Sequence, residues 1–187
     1  MSLFIRLLLL VGSLFLQWDN AALRSQSSPS FPDEWTGVWQ GELQIFKHLD
    51  QRMTVPMELH LLPTDSSHRF DWTIVYGTGD RADRREYALI VVDAERGHYV
   101  VDEQNGILLD GYFHHQTFFS QFEVMGSWLL TTEQLAGDSL IFEVVAGPFE
   151  PVRVSGDTII GTDTIPPVQS FNVATYQRAV LRRRERN

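Results

Sequence analysis

The adjacent pair His114-His115 is the densest concentration of proton-transferring or metal-ligating side chains in the sequence. An imidazole titrates near neutrality, so an inward histidine could serve as a base, hold a metal or haem, or orient a ligand. Alternation places Ile107, Leu109, Gly111, Phe113 and His115 on one face of a strand and Leu108, Asp110, Tyr112 and His114 on the other. Only one of the two histidines can therefore point inward, and His115, which shares the face of Phe113, is expected to do so. No second inward histidine completes a metal site, so His115 also reads simply as a strand-end residue at the turn into Thr117. Tyr76 and Tyr87 flank the polar stretch from Gly77 to Arg85. Their hydroxyls are placed to orient a ligand near one mouth of the fold, or the rings serve as interior filling whose hydroxyls find a hydrogen-bond partner.

Other groups carry less. Asp102 and Glu103 adjoin the Asn105-Gly106 turn, and Asp110 lies on the next strand. Pairing of those strands brings carboxylates together as a cation site or acid–base pair would need, although solvated turn charges have the same pattern. Gly77-Thr78-Gly79-Asp80-Arg81 opens no helical pattern and reads as a loop rather than a phosphate cradle. Ser120 has no nucleophile-elbow context and no spaced His and Asp partners.

The elements that must position these groups are strands. Trp35, Gly37, Trp39, Gly41, Leu43 and Ile45 share one parity with mostly polar residues between them, as do Met53, Val55, Met57, Leu59 and Leu61. Trp39 is expected to plug a closed end, and Pro56, which cannot donate to a ladder, predicts an edge or bulge. Phe70 to Tyr76, Tyr87 to Val92, Tyr99 to Asp102, Ile107 to His115, Thr117 to Val124, Ser127 to Thr132 and Leu140 to Val145 follow, with Asn105-Gly106 marking a hairpin. Phe149 to Pro167, carrying three prolines, reads as a loop with at most a short strand, and Phe171 to Leu181 as the last strand. The expected fold is all-β, a single antiparallel barrel of about eight to ten strands. Closure removes the edges that a Val-, Ile- and Phe-rich chain would otherwise expose; a flattened sandwich is the competing architecture.

At 187 residues, 43% of them hydrophobic, the chain suits one domain with a sizeable core. A formal charge of −9 argues against general nucleic-acid binding. There is no cysteine, which excludes disulfides, thiolate chemistry and a cysteine-linked lipid anchor. Residues 1–22 combine Arg6, an apolar run from Leu7 to Leu16 and small residues at Ala21-Ala22, the pattern of a secretory signal peptide. The run is about half the roughly twenty residues a spanning helix needs, so an extracytoplasmic location, periplasmic or secreted, is expected without stable membrane insertion. Residues 23–34 read as a polar linker, 35–181 as the barrel and 182–187 as a basic tail.

Gly37-Val38-Trp39 on the first strand, with Arg178 available on the last, resembles the calycin barrels and lipocalin-like proteins among them. In that group the tryptophan closes the barrel floor and a terminal-strand arginine packs over it, which would make Gly37, Trp39 and Arg178 the floor here. Trp35-Thr36-Gly37-Val38-Trp39-Gln40-Gly41 is also similar to the opening of nitrobindin-like haem barrels. Those proteins ligate haem through a late histidine, whereas the last histidine here is His115, so no cofactor is expected. The chain lacks the disulfide and the helix before the final strand that are usual in lipocalins. What the resemblance implies is a non-catalytic cup for a small apolar or amphipathic ligand, with Trp72, Tyr76, Tyr87, Phe113, His115, Phe118 and Phe122 as ligand-binding candidates. A structural or interaction module with a packed interior fits the same inward residues, and a cofactor-free enzyme using His115 is a third reading. A cavity below roughly 300 Å³ would favour the packed module.

Overall fold

The computed structural model describes residues 31–185. The expected signal peptide lies outside the described residues, as does most of the expected linker. Among the described residues ten strands close into one antiparallel barrel. In chain order these are β1 (Gly37–Lys47), β2 (Asp50–Pro63), β3 (Arg69–Tyr76), β4 (Asp83–Asp93), β5 (His98–Asp102), β6 (Leu108–His114), β7 (Thr117–Val124), β8 (Ser127–Ala136), β9 (Ser139–Pro148) and, after an inserted arm, β14 (Thr175–Arg183). Neighbours in sequence are neighbours in the barrel up to β9, and β14 closes the ring between β9 and β1. The up-and-down order follows from the short connections, since an antiparallel partner can be reached by a tight turn whereas a parallel one needs a long crossover.

The period-two pattern decides what faces inward. Leu59 and Leu61 of β2, Trp72 of β3, Leu89 of β4, Phe118 of β7, Leu140 and Phe142 of β9 and Leu181 of β14 are buried in a continuous core, while intervening residues such as Gln40, Asp71, Gln121 and Arg182 are exposed. Gly111 has a specific steric reason to be glycine: a Cβ there would lie 2.1 Å from Cζ of Phe118, so its absence admits that ring to the core.

Pro56 lies at the edge that its missing donor called for: it is paired with Glu42 of β1 on one side, while pairing with β3 begins only at Met57. Its carbonyl accepts from Gly77 N at 2.8 Å just past the end of β3, so the missing donor falls where the ladder is already ending. Two local expectations change. The β5–β6 hairpin forms, but through residues 103–107 rather than a two-residue turn, with positive φ at Gln104 and Gly106. Asp102 and Asn105 side chains accept from the backbone N–H groups of Gln104 and Ile107 and stabilise that longer loop.

The segment read as a loop from Phe149 to Pro167 is instead an arm. It consists of two successive ribbons, β10 (Pro151–Ser155) with β13 (Val168–Phe171) and β11 (Thr158–Ile160) with β12 (Asp163–Ile165). Its strands alternate too briefly, and around too many prolines, for the pattern to stand out in the sequence. The last barrel strand consequently begins at Thr175 rather than Phe171, and it continues through Arg183 into what reads as the basic tail.

At the end where β1 starts and β14 stops, the barrel is sealed. The chain before β1 makes a short 3₁₀ turn, Asp33–Trp35, and Phe31 and Trp35 are buried rather than part of a free linker. Phe31 stacks on Phe113 with centroids 4.7 Å apart and meets Trp35, Tyr99 and Phe118. Tyr99 Oη donates to the Phe31 carbonyl at 3.1 Å. Trp39, almost fully buried, donates its indole N–H to the Trp35 carbonyl at 2.8 Å.

The arginine over Trp39 is Arg183, with its guanidinium carbon 4.5 Å from the ring centroid, and not Arg178. Inward residues of β14 are Gln177, Ala179 and Leu181, so Arg183 continues that face directly opposite Trp39, whereas Arg178 points outward and pairs with Glu143 at 3.1 Å. Arg183 also donates to the Thr36 and Glu34 carbonyls at 3.0 and 2.7 Å, and its stem lies 3.6 Å from where a Cβ on Gly37 would be. Arg183→Ala is therefore expected to destabilise by about 1 kcal/mol, the size of a cation–π contact at an exposed site. Arg178→Ala, which loses a half-exposed surface pair, should stay within about 0.5 kcal/mol; equal losses in urea unfolding would contradict this assignment.

Candidate functional site

The opposite end is hollow. A cavity of about 420 Å³ lies in the upper half of the barrel, beneath the β3–β4 and β5–β6 turns. Its walls are mostly apolar: Leu43 and Ile45 of β1, Val55 of β2, Trp72 and Ile74 of β3, Leu109 of β6, Phe118 and Phe122 of β7, Leu129 of β8, and Phe142 and Val144 of β9. That volume is within the range of small-molecule sites, so the interior is not packed solid.

The polar groups divide into a rim and a deep one. At the rim are Asp83, Arg85, Tyr76, Tyr87, Glu103 and Gln177. Arg85 is committed to Asp83 by contacts of 2.9 and 3.0 Å, and its guanidinium lies over the Tyr76 ring at 5.1 Å. Burial pushes the Tyr76 phenol up to about 12 and raises that of Tyr87, so both remain neutral hydroxyls at physiological pH. On the wall Ser120 donates to the Asp110 carbonyl at 2.7 Å, leaving its lone pairs on the cavity side.

Glu133 is the deep group. It sits on β8 between Phe118 of β7 and Phe142 of β9, is only 4% exposed, and lines the cavity. Its Oε2 has no hydrogen-bond partner among the described residues. Loss of water with no compensating charge raises its carboxyl to about 8, so at pH 7 it is mainly the neutral acid. An unpartnered buried acid is costly to a fold and is commonly kept for a role at a site.

Of the ligand-binding candidates, Trp72, Tyr76, Tyr87, Phe118 and Phe122 come together on the cavity wall. Phe113 and His115 do not. Phe113 is inward, but at the sealed end, where it stacks on Phe31. His115 lies in the β6–β7 turn with φ of 45° and is exposed, because β6 ends at His114 and the inward parity ends with it. No histidine lines the cavity, which removes the geometry that an enzyme reading centred on His115 needs. The carboxylates near the hairpin also separate: Asp110 faces out to His98 at 2.7 Å, Asp102 binds the turn backbone and Glu103 joins the rim. No cluster of three potential metal-ligating side chains occurs among the described residues.

Comparisons with known proteins bear on the fold. No protein-family model matches the sequence, and no curated protein matches it significantly. Among solved structures the chain is similar to an S-type phycobiliprotein lyase from Guillardia theta, with a TM-score of 0.53 and 10% identity over 81% of this chain and 89% of that one. It is also similar to a protein of unknown function of the DUF3598 family from Nostoc punctiforme, with a TM-score of 0.52 and 9% identity over 81% of this chain and 48% of that one. At these identities the likeness is one of fold.

Glu133, Arg85, Asp83, Thr131 and Gln177 are the polar lining residues that the sequence did not single out. A signal existed for some of them. Arg85 shares the parity of Tyr87 and Leu89 once β4 is started at Asp83 rather than after a loop reaching Arg85, and Glu133 shares that of Leu129 and Leu135 once β8 is carried to Ala136.

Proposed function

We propose that this protein is a binding barrel of the calycin type that holds a small, largely apolar molecule in its upper cavity, with Glu133 as the deep polar anchor and no catalytic step. The observation that carries this reading is the combination of an apolar cavity of about 420 Å³ with an unpartnered, buried carboxyl on its wall. Ligand sites are mostly apolar with a few placed polar groups, and this cavity has that make-up. The Trp39–Arg183 stack supports the calycin assignment, since it reproduces, on a different arginine, the floor that the first-strand motif implies. The name of the Guillardia barrel ties it to phycobiliproteins, which puts a bilin among the molecules to be tried here.

Residues 1–22 support export to an extracytoplasmic compartment. The outer face carries Glu42, Glu58, Asp71, Arg84, Glu86 and Arg178 among its apolar residues, and charges spread along its strands favour an aqueous setting. Native mass spectrometry of protein purified from its own source tests the reading. The expected result is a mass excess of a few hundred daltons that is reduced or lost in Leu129→Trp, whose larger side chain would narrow the cavity. A bare polypeptide mass, together with no uptake of apolar dyes or bilin, would overturn it.

A further inference from the structure

We infer that the cavity selects an apolar molecule carrying a protonated nitrogen, captured as an ion pair with the Glu133 carboxylate. This rests on the binding role proposed above and narrows it to a chemical class.

The geometry supplies three independent reasons. The Glu133 oxygen that lacks a partner is an acceptor when ionised, and no wall group supplies the matching positive charge, because Arg85 is held by Asp83. At the rim, Asp83 and Glu103 oppose the single cation Arg85, so the entrance has a net negative charge even with Glu133 neutral. The walls also present the aromatic rings of Trp72, Tyr87, Phe118 and Phe122, and such rings attract a cation held against their faces once water is excluded. A carboxylate ligand would meet like charge at the entrance, and an alcohol would gain nothing from the ring faces.

Capture has a defined proton balance. An alkylammonium ion enters from water with its charge, the Glu133 carboxyl gives up its proton to solvent, and the ammonium and carboxylate pair; one positive charge enters and one proton leaves. Burial holds Glu133 protonated up to about pH 8, so affinity for a ligand that stays charged rises roughly tenfold per pH unit towards that point and then levels. Glu133 is the cavity group whose titration falls in this window. The other charged or titratable lining groups are Tyr76 of β3, Asp83, Arg85 and Tyr87 of β4, and Glu103 of the β5–β6 turn; β1, β2, β5, β6, β7, β9 and β14 contribute neutral residues.

The test compares three probes of one chain length, decylamine, decanol and decanoate, by titration calorimetry in two buffers of different ionisation enthalpy. At pH 6.5 decylamine is fully protonated, like a lysine side chain, so any proton released must come from the protein. The expected result is decylamine binding at least tenfold tighter than decanol or decanoate, with about one proton released per amine bound. In Glu133→Gln the amine preference and the proton release both disappear. If decanol or decanoate binds as tightly as decylamine, or no proton is released, the amine inference fails and the binding role stands. If none of the three binds wild-type protein, the binding role itself fails. Should Glu133→Gln not fold, the affinity order and the proton count on wild-type protein decide the matter.

Discussion

Glu133→Leu is expected to stabilise the ligand-free protein, by little near pH 5 and by roughly 3 to 5 kcal/mol at pH 8.5. In the unfolded chain a glutamate ionises near its ordinary value of about 4.3, whereas burial raises Glu133 to about 8 in the fold. Between those values the folded state holds a proton that the unfolded state has lost, so wild-type stability falls by about 1.4 kcal/mol per pH unit. Below the unfolded value both states are protonated and the penalty vanishes; above the folded value both are ionised and the penalty is constant. Leucine fills similar space without the ionisable group, and glutamine keeps the shape without the titration. Urea midpoints measured from pH 5 to pH 9 should therefore diverge between wild type and either variant as pH rises. Parallel curves would show that the Glu133 carboxyl reaches solvent or a partner, and the buried-anchor account would fall with them.

Phe31→Ala is expected to cost about 3 to 4 kcal/mol, the loss typical of a large aromatic removed from a core. The ring is buried among Trp35, Tyr99, Phe113 and Phe118, and its backbone carbonyl receives the Tyr99 hydroxyl, so little can relax into the space left behind. The urea midpoint should drop with the m-value unchanged, as for a change in stability alone. A residue in a free linker would give a change within about 0.5 kcal/mol. That smaller result would detach the segment before β1 from the floor. Ligand binding at the opposite end should survive the substitution, because Phe31 does not line the cavity.

The all-β class, the antiparallel order, the β5–β6 hairpin and the inward set of Leu59, Trp72, Leu89, Phe118 and Phe122 were legible in the sequence. Each depends on local alternation or on turn residues, and a strand's facing is a property of a few consecutive residues. The floor was legible only in outline. Trp39 announced itself by type and parity, but its arginine partner depended on the register between the first and last strands. Closure sets Trp39 opposite Arg183, and no local feature distinguishes that residue from Arg178.

Glu133 was hidden for a related reason. The two faces of β8, Leu129-Thr131-Glu133-Leu135 and Leu130-Thr132-Gln134, are nearly equal in polarity, so alternation alone does not say which is inside. Its facing is fixed by pairing with Phe118 and Phe142 on the two neighbouring strands. His115 went the other way, since its parity pointed inward but β6 ended one residue before it. The burial of Phe31 likewise came from packing against rings more than sixty residues away in the chain. Sequence by itself determined most of the barrel strands and the facing of those with clear alternation, because these are governed by sterics and hydropathy over a few residues. Only the tertiary structure decided which side chains meet at the floor and in the cavity, because register, strand length and closure are fixed by hydrogen bonds between distant segments.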